Sequence, residues 1–232
     1  MQCADCHLLE LCWPWGVPRG VGTTVTLPAT TYEPGEFLWR QGDAYSGLSF
    51  VASGCLRLGA VSIDGGERVL GFALPGDLIG YEALAAGFHG CGARALQTTR
   101  ICRLQWGLRE ESDYANALAP KLIARLATVA GDALRAAAPE SNAMRAVERF
   151  LERVTMRLGR REARSLWVDL PMSRADIGNH LGIAEETVTR AFRHLESERG
   201  IVVTGRRLCW PLSDGANAAQ VRSAAPSRIS PA

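Results

Sequence analysis

Met172-Ser173-Arg174-Ala175-Asp176-Ile177-Gly178-Asn179-His180-Leu181-Gly182-Ile183-Ala184-Glu185-Glu186-Thr187-Val188-Thr189-Arg190 is the stretch on which the fold turns. Pro171-Met172-Ser173 opens a helix, and Ser173 and Asp176 have the S-x-x-D spacing of a capping box variant. The spacing predicts a helix from Arg174 to Leu181, a three-residue turn at Gly182-Ile183-Ala184, and a second helix from Glu185 to about Arg199. Two short helices around a glycine-containing turn are a helix-turn-helix. Downstream, Ile201 to Thr204 and Leu208 to Leu212 flank Gly205-Arg206-Arg207 as a β-hairpin, the wing of a winged variant.

In such a motif the second helix enters the major groove of double-stranded DNA by its N-terminal end. Glu186, Thr189 and Arg190 stand there at i, i+3 and i+4 and share one face. Arg190 can pair bidentately with guanine O6 and N7, Glu186 can accept from cytosine N4, and the Thr189 methyl can meet a thymine methyl. A solvated Glu186–Arg190 ion pair is the competing reading and needs no DNA. The charge distribution favours the first. The net charge of +2 divides into +5 for residues 141 to 232, with 15 Arg against 10 Asp and Glu, and −3 for residues 1 to 140. Arg174, Arg193, Arg206 and Arg207 are the phosphate-contact candidates, which fix register without reading sequence.

Upstream, Ala143 to Leu158 is an amphipathic helix with Val147, Phe150, Leu151 and Val154 on one face, and Leu166 to Leu170 is a short strand. Pro139 to Asn142 makes a hinge. From Leu108 to Ala138, Leu122, Leu126, Val129, Ala133 and Ala136 recur every three or four residues, a helical seam that wants a partner. The chain's own β domain would serve. So would a second copy of the helix, since Ala130, Gly131 and Ala133 permit close approach. From Thr23 to Trp106, short apolar runs are separated by Pro34-Gly35, Ser53-Gly54, Asp64-Gly65-Gly66 and Pro75-Gly76-Asp77, as in a sandwich or barrel. The expected strands are Thr24–Leu27, Phe37–Arg40, Leu48–Ser53, Leu56–Ile63, Glu67–Ala73, Ala93–Thr99 and Arg100–Leu104, with Asp64-Gly65 the best hairpin turn. The predicted division is thus a cysteine-rich leader (1–20), a β domain (21–107), a long helix (108–138), a winged helix-turn-helix (139–213) and a frayed tail (214–232).

The composition, 47% hydrophobic and 22% charged over 232 residues, fits a globular protein of one large or two modest domains. No apolar run approaches the roughly 20 residues of a spanning helix, so the expectation is a cytoplasmic protein with no membrane partner. In that compartment seven cysteines are available for metal or redox chemistry. Cys3, Cys6 and Cys12 form C-x2-C-x5-C, a loop that can fold three thiolates around an iron–sulfur cube, the fourth ligand coming from elsewhere. Structural zinc, with His7 as a further ligand, is the competing reading. Cys55 and Cys209 sit in strand-like apolar text and read as core. His89, His180 and His194 lack ligand spacing and read as surface or cap residues. A cysteine-based redox enzyme is disfavoured: no nucleophile and base are legible, and Cys3-x-x-Cys6 does not open a helix after a strand.

The 172–190 stretch resembles the helix-turn-helix of the CRP/FNR superfamily of bacterial transcription regulators. The order upstream is similar too, with Leu74-Pro75-Gly76-Asp77-Leu78-Ile79-Gly80 in a β region before the long helix. The resemblance covers nearly the whole chain and implies an α+β fold: an N-terminal double-stranded β-helix (a cyclic-nucleotide-binding-like β-roll), a long dimerisation helix with Leu122, Leu126, Val129 and Ala133 at its seam, and a C-terminal winged helix-turn-helix. It also implies an activator that binds TTGAT-type palindromes through Glu186, Thr189 and Arg190 as a homodimer. Thr189 stands where the oxygen-sensing type usually has Ser. The leader resembles the cluster loop of that type, which implies a 4Fe-4S cluster on Cys3, Cys6, Cys12 and Cys102, with Cys91 the rival fourth ligand. Gly92-Ala93 falls where the cyclic-nucleotide branch has Arg-Ser, and Asp77 where it has Glu, so no cyclic nucleotide is expected, although Arg94 lies two residues away. RNA polymerase is the further partner implied, with 64–68 and 72–77 as candidate contact loops. The alternative is a regulator of the same family with another effector (a cyclic nucleotide, haem or none), its leader cysteines binding zinc.

Overall fold

The computed structural model describes residues 29–103, six helical residues (Ile123, Ala124, Leu126, Ala127, Ala130 and Gly131) and residues 142–212. Cys3, Cys6, Cys12, Leu122, Val129, Ala133, the expected strand Thr24–Leu27 and the 214–232 tail lie outside the described residues. The chain divides into two compact units, 1–139 and 140–232.

Eight strands make two four-stranded antiparallel sheets in the first unit: β1 (Ala29–Tyr32), β2 (Phe37–Trp39), β3 (Ser49–Ser53), β4 (Leu56–Val61), β5 (Glu67–Ala73), β6 (Leu78–Ile79), β7 (Gly92–Ala95) and β8 (Thr99–Arg103). One sheet has the order β1-β8-β3-β6 and the other β2-β7-β4-β5. Between them lie Trp39, Val51, Leu56, Ala73, Ile79, Ala93, Ala95 and Ile101, all buried. Each large side chain fully buried in this way stabilises the fold by about 1.5–3 kcal/mol. The hairpin expected at Asp64-Gly65 joins β4 to β5, but through a five-residue loop closed by Ser62 N–H to the Gly66 carbonyl at 2.9 Å. The strand expected to run to Ile63 therefore stops at Val61. The run expected from Ala93 to Thr99 breaks after Ala95. Thr99 begins the next strand, its Oγ1 accepting from Cys55 N–H at 3.0 Å and donating to the Gln97 carbonyl at 2.7 Å.

In the second unit α1 (Ala143–Leu158) starts at Asn142, whose side chain accepts from Met144 N–H at 2.9 Å. The strands β9 (Arg160–Glu162) and β10 (Ser165–Asp169) follow, then α2 (Arg174–Leu181), α3 (Glu185–Glu198), β11 (Val202–Thr204) and β12 (Arg207–Pro211). The sheet order is β11-β12-β10-β9, so the wing hairpin pairs with the strand preceding α2. At the start of α2 the capping box is complete: Ser173 Oγ accepts from Asp176 N–H at 3.0 Å and Asp176 Oδ2 accepts from Ser173 N–H at 3.1 Å. Such a cap contributes about 1 kcal/mol. Two glycines make the turn possible. Gly182 is left-handed at φ 68°, and a Cβ on Gly178 would stand 2.7 Å from the Ile183 carbonyl oxygen. Val147, Phe150, Leu151 and Val154 of α1 are buried, as are Ile177 of α2 and Val188, Ala191, Phe192 and Leu195 of α3.

Candidate functional site

Burying Val188, Ala191, Phe192 and Leu195 fixes the rotation of α3, because these residues recur at i, i+3, i+4 and i+7. The opposite face carries Glu185, Glu186, Thr189, Arg190 and Arg193, which line one surface depression. The three residues expected to read bases are thus brought together with one phosphate candidate. Glu186, Arg190 and Arg193 are exposed and Thr189 is half-exposed. The expected alternative, a Glu186–Arg190 ion pair, is not formed among the described residues. Instead Arg190 Nη2 donates to Thr187 Oγ1 at 3.1 Å, three residues back along the helix.

The other phosphate candidates are held by their surroundings. The Arg174 guanidinium lies 4.5 Å over the Phe192 ring and that of Arg207 4.8 Å over Trp167. Arg206 differs from its expected role. Its Nε donates to the Leu170 carbonyl at 2.9 Å and its Nη2 to the Pro171 carbonyl, so the fork ties the wing turn to the chain entering α2. Two backbone carbonyls at a strand end are thereby satisfied, a local demand that charge counting does not register.

In the β1-β8-β3-β6 sheet, Cys102 of β8 stands directly opposite Ala29 of β1 and, on its other side, opposite Phe50 of β3. It is half-buried. Cys91 is 5% exposed, and its carbonyl accepts from Trp39 Nε1 at 3.0 Å. Burial, with the Glu82 carboxylate adding to it, pushes the Cys91 thiol up to about 11, which disfavours the thiolate that a metal requires. Cys55 and Cys209 are completely buried, as core residues. Among the described residues no group of three or more His, Cys, Asp or Glu is placed to hold a metal ion.

Three expectations change, at His89, at Leu126 and in the 72–77 loop. His89 is not a surface residue: it is completely buried, stacked on Trp39 with ring centroids 4.1 Å apart, and its Nδ1 bonds Glu82 Oε1 at 2.8 Å. His180 is half-buried, its ring 5.8 Å from that of Phe150, while His194 is exposed. Leu126 packs against the chain's own Leu48, Phe50 and Leu78. Ile123, 66% exposed, and the exposed Ala127 and Ala130 lie at i, i+4 and i+7 from one another and present an apolar stripe to the outside. Of the two candidate polymerase loops, 64–68 is exposed throughout, whereas Ala73 and Leu74 are buried and the Asp77 carboxylate is turned inward to accept from Leu74 N–H at 2.8 Å. Near the cyclic-nucleotide positions, Gly92 and Ala93 are buried in β7, and Arg94 stands opposite Phe37 and Arg57 in its sheet.

A β-roll unit and a winged helix-turn-helix whose second helix exposes a polar face define the class of DNA-binding regulators. Comparison with known proteins agrees. Residues 29–107 match the family model of the cyclic nucleotide-binding domain and residues 147–211 that of the Crp-like helix-turn-helix domain. The transcriptional activator protein FnrA of Stutzerimonas stutzeri is 30% identical over 216 residues, covering 89% of this chain and 87% of its own. The fumarate and nitrate reduction regulatory protein of Escherichia coli is 25% identical over 215 residues, covering 89% and 85%. Among solved structures, FixK2 from Bradyrhizobium japonicum superposes with a TM-score of 0.63 at 23% identity, over 88% of this chain and all of that one. The chain belongs to the CRP/FNR family of transcription regulators, and it is a DNA-binding protein and not an enzyme. No helix among the described residues is long and apolar enough to cross a membrane.

Proposed function

We propose that this chain is a cytoplasmic, oxygen-responsive transcription activator that binds TTGAT-type palindromic sites as a homodimer while a 4Fe-4S cluster on Cys3, Cys6, Cys12 and Cys102 is intact. The observation that carries this reading is the place of Cys102, a half-buried thiol beside Ala29, where the segment bearing the other three cysteines joins the sheet. Neighbouring strands lie about 4.8 Å apart. Sixteen residues lie between Cys12 and Ala29, and the seventeen steps joining them span up to roughly 60 Å when extended, so the chain is long enough to bring Cys12 to Cys102 without rearranging the roll. Cys91 fits the ligand role less well, being buried with its thiol held protonated.

The cluster, when bound, supplies an oxygen-labile group joining the leader to the sheet. The protein's own residues do the rest. Glu186, Thr189 and Arg190 read base edges, Arg193 takes a phosphate, and Arg174 and Arg207 offer guanidinium edges already fixed on aromatic rings. A palindrome needs two such faces about one helical turn apart, and so a dimer. The exposed stripe Ile123, Ala127 and Ala130 supports pairing of the long helix with a second copy, taking the place of Leu126 in the seam. The 64–68 loop is the surface offered to RNA polymerase. The reading takes no cyclic nucleotide, since Gly92 and Ala93 carry no side-chain donor for its phosphate.

Gel-shift titration with a TTGAT palindrome, prepared without oxygen and repeated after exposure to air, tests this. Binding is expected to be tight in the first state and to weaken in the second. Equal affinity in both states would reject oxygen response.

A further inference from the structure

We infer that Phe50 is a positioning residue through which the state of the Cys102 sulfur sets the seat of the long helix. The inference rests on the iron–sulfur reading above and deepens it, since it names how that site would act on the dimer.

The geometry is a row across one sheet. Ala29 faces Cys102, Cys102 faces Phe50, and Phe50 faces Leu78, in consecutive antiparallel registers. Facing residues project to the same side of a sheet, and successive residues alternate. Ile101 and Val51, next along their strands, belong to the core between the two sheets, so Cys102 and Phe50 stand on the outer side. That outer side is covered. Phe50 and Leu48 are 1% exposed and Leu78 is 3% exposed, and Tyr81, Cys102 and Leu126 pack against them. Leu126 belongs to the same helical segment as Ile123, Ala127 and Ala130 and flanks that stripe, three residues from Ile123 and four from Ala130. One apolar cluster thus touches both the proposed ligand and the helix proposed to dimerise.

Phe50 is the member of the cluster that can couple them. It faces Cys102 directly, whereas Leu78 is one strand further away. A sulfur bound to a cluster is held in one rotamer, and a released thiol is a small hydrophobe free to take another. Close-packed side chains answer such a change by moving between discrete arrangements, not by deforming gradually. The cluster's state then biases the seat of Leu126, and with it the presentation of the dimer stripe.

Phe50→Leu removes the large ring while keeping an apolar side chain. Parent and variant are purified without oxygen, assayed for iron and acid-labile sulfide, and their monomer–dimer equilibria measured by sedimentation before and after the cluster is removed by chelation. The parent's dimer constant is expected to weaken on cluster loss by roughly 5–150-fold, the range typical of coupled sites. Phe50→Leu should hold the same iron and show a change of less than about threefold, well under that range. A variant that keeps the parent's change overturns the inference. So does one that folds but holds no iron, because Phe50 would then serve the ligand itself. If Phe50→Leu fails to fold, Leu126→Ala decides by the same two readouts. A parent without iron would reject the iron–sulfur reading first, and the role of Phe50 with it.

Discussion

Cys102→Ala, purified without oxygen, is expected to be folded, colourless and free of iron, while Cys91→Ala keeps the parent's iron and sulfide. Physically, the two cysteines are unlike. Cys102 is half-buried on the outer side of its sheet, beside the junction with the leader. Cys91 lies inside, its thiol pushed up to about 11 by burial and the Glu82 carboxylate. Losing one of four thiolates from a cluster removes a covalent tether that the leader alone cannot replace. Stability should change little, because shortening a half-buried thiol by one atom leaves Phe50 and Leu48 covered by their other neighbours. Iron analysis and a thermal melt check both parts. The reverse pattern, with iron lost from Cys91→Ala and kept by Cys102→Ala, would reassign the fourth ligand.

Arg190→Ala is expected to cost about 1–3 kcal/mol of binding to the cognate palindrome, or roughly 5- to 150-fold in affinity, and to relax selection at one guanine per half-site. Arg190 is exposed on the reading face, and in the free protein its Nη2 rests on Thr187 Oγ1. One modest hydrogen bond is exchanged for a bidentate pair with guanine, so the balance favours DNA. Arg193→Ala serves as the contrast. Removing a guanidinium that pairs with a phosphate should weaken binding to all sequences alike and lower the salt slope by about one. Titrations against the cognate site and against variants at each half-site position separate the two patterns. Uniform weakening by Arg190→Ala would assign it to a phosphate instead of a base.

The helix-turn-helix was legible because its signals are local. A capping box, a left-handed glycine and a period of 3.6 each act within a few residues, and α1 and α2 have the expected bounds. The β-roll was legible in its turns but less so in its strands. β6 has two residues, too short for a pattern, and β9 is Arg160-Arg161-Glu162, a wholly exposed strand of charged residues whose pairing is set by β10. The burial of His89 is not legible in the sequence, because nothing near it announces the Trp39 ring 50 residues away. The seam through Leu126 allows either cover from its spacing alone, because small and apolar residues look alike whichever surface meets them; the cluster of Leu48, Phe50 and Leu78 in the chain's own β domain covers it here. Charge counting treats Arg206 like any other arginine, whereas in the fold its guanidinium donates to the carbonyls of Leu170 and Pro171. That Glu186, Thr189 and Arg190 share a surface follows from position: residues at i, i+3 and i+4 in the first turns of α3 emerge together once its apolar side is buried.

Iron and acid-labile sulfide, measured together with the visible spectrum on protein purified without oxygen, decide whether Cys3, Cys6, Cys12 and Cys102 hold a cluster. The expected result is a brown protein with about four iron and four sulfide per chain, as a 4Fe-4S cluster requires, and broad absorption that bleaches in air. A colourless protein carrying zinc and no sulfide would rule the cluster out.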